Sequence, residues 1–236
     1  MPGMTEPEIH RIATLDLKVK PRPWPFEIER RGEIDAHFAK VREAKPEVWN
    51  GRVLLARNAV FAGDHLSADY FETDFASFLA WRDFGFPDRE VFNGFGMGAL
   101  LSADGAYVLG EMGAHTANAG KIYFPAGTPD PQDVRHGMLD VEGSVVREIE
   151  EETGLAPTDY TLDAHWHCVF TGPSVAMIRI LRVDMRGEAL RARIEDALAR
   201  QSRPELAAVH LVRGLADLSP AMPHFVTAFL QSQLSA

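Results

Sequence analysis

Thirteen residues, 140 to 152, hold six acids against one base: Asp140, Glu142, Glu148, Glu150, Glu151 and Glu152 with Arg147, a net of −5. Val145, Ile149 and Val146 recur at helical spacing and predict a buried stripe, with Arg147, Glu148, Glu151 and Glu152 off it. Glu148 and Glu152 then stand one turn apart on one face, with Glu151 beside them. Unpaired carboxylates so close repel one another and destabilise an isolated helix. A hard divalent cation resolves the conflict, because carboxylate oxygens suit Mg²⁺ or Mn²⁺ and the loaded site is neutralised. Arg147 is spaced to pair with Glu151 one turn on, which orients a ligand carboxylate from behind.

The segment carries its own boundaries. Asp140 predicts an N-cap, the early acids suit the positive end of the helix dipole, and Gly154 suits the left-handed stop. Read as a string, R-E-I-E-E-E-T-G-L from Arg147 to Leu155 resembles the core of the Nudix hydrolase box, R-E-U-x-E-E-x-G-U with U apolar. A chance match in a chain of this length is on the order of one in tens of thousands. A merely solvated acidic face has no reason to follow that order.

The flanks extend the resemblance over roughly residues 93–236. Asn93–Leu109 resembles the first strands of the family. Ile122-Tyr123-Phe124-Pro125-Ala126-Gly127 resembles the strand and turn before the box, and residues 164–183 the strand after the helix. One departure stands out. The full box opens with a Gly and a Glu at places that here hold Asp133 and Leu139. Gly127 takes the glycine's part, with about six further residues looped in between, and Glu142 or Asp140 is left to replace the outer acid.

The resemblance implies an α/β Nudix fold, a mixed β-sheet sandwiched between helices, with an N-terminal α+β extension: residues 1–92, then a hydrolase domain over 93–236. It implies a pyrophosphohydrolase acting on a nucleoside diphosphate linked to another moiety, with Mg²⁺ or Mn²⁺ as cofactor. Glu148, Glu151 and Glu152 would be the metal ligands, and Arg147 and Glu151 the catalytic pair. The general base stays open between a box Glu, Glu205 and the histidines. Val48-Trp49-Asn50-Gly51-Arg52 and Trp81-Arg82-Asp83-Phe84 resemble segments of the vertebrate Nudix UDP-sugar diphosphatases, so a UDP-sugar is the first expected substrate. CoA or ADP-ribose is the next, and a module that senses a nucleotide without hydrolysing it is the rival class. The intact Glu triad favours the enzyme. An adaptor acting through the aromatic residues of 1–90 is a third reading.

The elements that must position these residues follow from periodicity. Residues 8–20 alternate and predict a strand, stopped by Pro21, Pro23 and Pro25. Residues 27–44 predict a helix ended by Pro46, and Asn50-Gly51 a turn into a strand over 52–61. Aromatics at 70, 71, 75, 78, 81 and 84 predict an amphipathic helix over 69–84 that packs the N-terminal region onto the rest. Asp104-Gly105 between apolar runs predicts a hairpin. His165 and His167 flank Trp166 on a predicted strand and share one side, and read as ordinary packing or pocket histidines. Cys168 faces the other way as a small core residue.

Composition bounds the partners. The chain has 236 residues, with 24 Lys and Arg against 34 Asp and Glu and a formal net charge of −10. That excludes a general nucleic-acid binder, which needs a basic surface, and leaves a small-molecule partner. The single cysteine forms no internal disulfide. No apolar run reaches the ~18 residues of a membrane span and the first residues carry no signal pattern, so the expectation is a cytoplasmic protein with no membrane partner. A homodimer is compatible with this reading.

Overall fold

A computed structural model describes residues 6–235. In chain order, β1 (Glu8–Ile12) and β2 (Thr14–Val19) stand where one strand was expected over 8–20, and α1 (Pro25–Glu29) and α2 (Arg31–Ala44) where one helix was expected. Then come β3 (Arg52–Ala62), β4 (His65–Asp74) and α3 (Phe75–Asp83). The helix expected over 69–84 is therefore wrong for its first six residues. Leu66, Ala68 and Tyr70 alternate into the core as a strand must, and Asp74 caps α3 by accepting from the Ser77 amide at 2.7 Å.

The remaining elements are β5 (Val91–Ser102), β6 (Tyr107–Met112), β7 (Ile122–Tyr123), β8 (Val134–Arg135), β9 (Met138–Leu139) and α4 (Val141–Thr153), followed by β10 (Thr161–Phe170), β11 (Ser174–Val183), α5 (Gly187–Leu198), β12 (Leu206–Val212) and α6 (His224–Leu234). The single strand expected over 164–183 is two, β10 and β11, paired antiparallel on either side of Gly172 at φ +81°. Asp104-Gly105 turns β5 into β6 as expected, with Gly105 also at φ +81°.

Twelve strands form one mixed sheet ordered β1-β10-β11-β5-β3-β4-β2-β9-β8, and β6 branches from β5 to hold β7 and β12. β5 and β11 run parallel over ten residue pairs at its centre. β1 and β2 separate at Ala13 because they serve different neighbours: β1 pairs with β10, β2 with β4. Among the described residues no helix is long and apolar enough to cross a membrane.

The centre of β5 reads Gly94-Phe95-Gly96-Met97-Gly98-Ala99, glycines on one face and side chains on the other. A Cβ at Gly96 would lie 2.7 Å from both Val141 and Val145, and one at Gly98 2.7 Å from Ile149. The glycines thus let α4 lie directly on the strand, and Val145 and Ile149 are fully buried against it. Each such burial contributes about 1.5–3 kcal/mol. On the opposite face Phe95 meets Phe225 of α6 edge-on, at 5.4 Å between centroids.

A larger core draws apolar residues from both sides of residue 92, among them Leu17, Tyr70, Met97 and Ile149. A smaller one, built between Trp24 and Val91, joins α1, α2 and α3 to β3 and β4. Trp24 and Trp81 sit at its centre, and both indole N–H groups donate to Asp88, one to its carboxylate and one to its carbonyl.

Candidate active site

The acidic helix is α4, bounded as its sequence predicts: the Asp140 side chain accepts from the Gly143 amide at 2.9 Å, and Gly154 stops it at φ +71°. Its carboxylates are not equivalent. Glu151 is 61% exposed and Glu148 13%. Glu152 was expected off the buried stripe, but it is only 4% exposed. It continues the line Val141, Val145, Ile149 at helical spacing, so a carboxylate occupies a place where the helix otherwise buries methyl groups.

Glu152 Oε1 accepts from the Ala126 amide at 3.3 Å, while its Oε2 is shielded from solvent with no hydrogen-bond partner. Burial first, and then the charges of Glu148 and Glu205, push its pKa well above the carboxylate range. Burial likewise raises Glu148 to about 7, with Glu151 and Glu205 adding to the rise and Arg147 opposing it. A buried carboxylate that lacks a partner is costly, and it either takes a proton or recruits a cation.

Arg147 is the one base set among these acids. Its guanidinium donates to Glu148 at 2.8 Å and Asp133 at 3.0 Å, and lies 3.5 Å from Glu151. The expected pairing with Glu151 is thus the longest of the three. Asp133 is an acid that the sequence did not offer for the outer place, which was left to Glu142 or Asp140. It is 4% exposed, closes a short 3-10 turn by accepting from the Asp130 amide, and receives Arg147 from fourteen residues away. Asp140 is occupied as the N-cap, and Glu142 lies 3.5 Å from Arg179 instead. The available signal was an acid, Asp133, at the turn following Asp130-Pro131.

Gly127 is pressed onto this group: a Cβ there would overlap the Glu148 carboxylate. The turn that carries it is pinned by the Gly98 amide donating to Pro125 at 3.0 Å, and by Ala126 donating to Glu152. Above the turn opens a cleft of about 600 Å³, a size typical of small-molecule sites. Arg147, Glu148, Glu151 and Glu205 line it, together with Trp49 and Arg52 of the N-terminal region. Trp49 is 80% exposed, its ring folded over Gly51, where a Cβ would overlap it. Glu205, expected only as a candidate reaching in from a loop, faces this cleft.

His115 also lines the cleft, whereas His165, His167 and Cys168 fall outside it. His165 Nδ1 is 3.1 Å from Arg11, and His167 packs edge-on against Phe229, where burial lowers its pKa. Cys168 is fully buried, its thiol pushed up to about 12 by burial.

No family model matches the chain, and no curated protein does either. Solved structures do. The chain is similar to solved Nudix hydrolases. One is RenU from M. smegmatis, 14% identical, with 60% of this chain and 84% of that one covered at a TM-score of 0.38. Another, from Nitrosomonas europaea, is 16% identical and covers 51% of this chain and 71% of its own at 0.33. A bifunctional NMN adenylyltransferase/ADP ribose pyrophosphatase from Francisella tularensis is 12% identical and covers 61% and 41% at 0.37. All three scores lie under 0.5, so the functional reading rests on the carboxylate helix itself.

Proposed function

We propose that this chain is a metal-dependent Nudix-type pyrophosphohydrolase that cleaves the diphosphate bond of a nucleoside diphosphate linked to another moiety, with UDP-sugars the first choice of substrate. The observation that carries the reading is the buried, unpartnered carboxylate oxygen of Glu152 beside Glu148, under a cleft large enough for such a substrate. The donor set is all hard oxygen and fits Mg²⁺ or Mn²⁺. Among the described residues no three His, Cys, Asp or Glu side chains already stand together as an ion cage. Glu148 is turned onto Arg147 instead.

Glu148, Glu151 and Glu152 would hold the cation, which when bound supplies Lewis acidity to the phosphates and lowers the pKa of a water. Arg147, itself fixed by Asp133, positions the carboxylates by offering Glu148 and Glu151 a shared guanidinium. The backbone of 126–128, free of a Cβ at Gly127, lets the diphosphate approach close to Glu148. Residues 1–92 act as the selectivity region: Val48, Trp49, Gly51 and Arg52, the segment that suggested a UDP-sugar, line the same cleft as Glu148 and Glu151. The partner is a small molecule, in keeping with the acidic surface, and neither a nucleic acid nor a membrane.

Two measurements test this. UDP-glucose, ADP-ribose, NADH and CoA are incubated with Mg²⁺ and phosphate release is followed after phosphatase coupling; UDP-glucose among the poorest substrates would remove the UDP-sugar assignment. Glu151→Gln and Glu152→Gln should each lower turnover roughly tenfold or more. If both keep full metal-dependent activity, the site assignment is wrong.

A further inference from the structure

The end of β2 reverses the charge of the chain: Lys18-Val19-Lys20-Pro21-Arg22 holds three cations and no acid. Pro21 and Pro23 flank Arg22 and restrict the backbone on both sides of it. Beside this segment lies a second cavity, of about 190 Å³, lined by Lys20 and Arg22, by Arg57 and Asn58 of β3, and by Asp69 of β4. It shares no lining residue with the cleft.

Arg57 is only 7% exposed, yet its one hydrogen-bond partner among the described residues is Glu90, which is 79% exposed. None of the Arg57 nitrogens is both shielded from solvent and unpartnered. The N–H groups that Glu90 leaves free therefore open into accessible space, and the residue lines the cavity. Asp69, the acid on this lining, is already engaged: Lys20 lies 2.6 Å from it and the Asn58 amide donates to it at 3.2 Å.

We propose that this cavity binds a phosphate group, as orthophosphate or as the end of a phosphate monoester, with Arg57, Arg22 and Lys20 as its donors. Three features select the occupant. Lys20, Arg22 and Arg57 against Asp69 leave a net of +2, which a phosphate near its dianion matches and a carboxylate does not. The volume lies below the range that holds a whole small molecule, so an oxyanion fits where a nucleotide does not. A guanidinium presents a planar fork of donors suited to phosphate oxygens, and burial fixes the Arg57 fork before any ligand arrives. Glu90 is the competitor for that fork. An ion pair with so exposed a carboxylate is weak, so a dianion displaces it at little cost. The site stands independently of how the cleft is read.

Calorimetry of orthophosphate against the metal-free full chain tests this. Wild type should bind with a Kd on the order of 1 mM or tighter. Arg22→Gln and Arg57→Met should each weaken binding roughly tenfold. Arg22 is exposed, so Arg22→Gln carries the test if Arg57→Met does not fold. Glu90→Gln removes the competing carboxylate and should tighten binding about threefold, a gain that a merely structural ion pair would not give. Arg203→Gln, which takes a cation from the cleft instead, should leave binding within about twofold. Glycerol phosphate is the second arm: binding that Arg22→Gln weakens in the same way supports a monoester end as the occupant, and binding of orthophosphate alone supports the free ion. Three results overturn the proposal: wild type binding neither compound, Arg22→Gln and Glu90→Gln both binding as wild type does, or Arg203→Gln abolishing the binding that Arg22→Gln retains, which places the anion in the cleft.

Discussion

Two arginines in this molecule each stand among carboxylates, and they are used in opposite ways. Arg31 of α2 lies 2.7 Å from Glu27 and 2.8 Å from Asp74, reaches Asp35 at 3.5 Å, and donates to Ser77 as well. Although burial works against it, Asp74 is held below its ordinary pKa by Ser77 and by Arg31. Arg147 has as many acids around it, yet Glu148 and Glu152 are held above theirs. At Arg31 the charges close on one another and tie α2 to the N-terminus of α3. At Arg147 the negative charge exceeds what one guanidinium can answer, and the surplus faces a cleft. A structural ion cluster and the cation site proposed above differ in that balance, not in residue type.

The contrast can be broken most directly at Glu152. Replacing it with Gln should cost roughly tenfold or more in metal-dependent turnover without lowering the Tm of the metal-free protein, since a buried carboxylate with a free oxygen is removed. A fall in both would make Glu152 a structural group like Asp74.

The next largest effect is on pH-dependent stability. A carboxyl whose pKa is raised on folding stabilises the fold fully below its unfolded value, near 4.5, and loses that contribution as pH rises through its folded value, about 7 for Glu148. Across that window the metal-free protein should lose about 3 kcal/mol, roughly 6–12 °C in Tm. Mg²⁺ should restore much of it above neutral pH, and Glu148→Gln should flatten the curve. A metal-free melt that is flat or rises over this range would place the uncompensated charge elsewhere.

Asp133→Asn should lower kcat several-fold with a smaller change in KM, because it loosens the group that orients Glu148 while leaving the carboxylates in place. Equal loss through KM alone would make Asp133 a binding group. Smallest is Asp74→Ala at the other arginine. It removes the α3 N-cap and a partner of Arg31, so about 1 kcal/mol of stability should go while kcat on a good substrate stays within about twofold. A large loss of activity there would show that the two arginine clusters are coupled.

The bounds and apolar stripe of α4 were legible because their determinants are local: a capping aspartate, spaced apolar residues and a glycine stop. Glu152 was misplaced because a helical wheel gives angle but not the reach of the neighbouring chain, and the turn at Ala126 comes close enough to donate to it. Asp133 was missed because its partner is fourteen residues away across two short strands, beyond any periodicity. The aromatics over 69–84 match a helix by spacing, yet 70 and 71 belong to β4 and only 75, 78 and 81 to α3. The decisive local sign was Asp74 ahead of Ser77, a cap in mid-segment. The second cavity was illegible for a further reason: its walls come from β3, β4 and the segment after β2, which only the tertiary fold brings together.

The placement of β1 has a consequence for how the protein is made. Its partner is β10, so Glu8 lies opposite Phe170. A ribosome adding about 5–20 residues each second delivers that partner roughly 8–30 s after β1 has emerged. During that interval Ile12, which ends in the core, has no strand to lie against, while β2 can already settle on β4. Until β10 has emerged, residues 8–12 therefore lack the strand with which they pair in the fold.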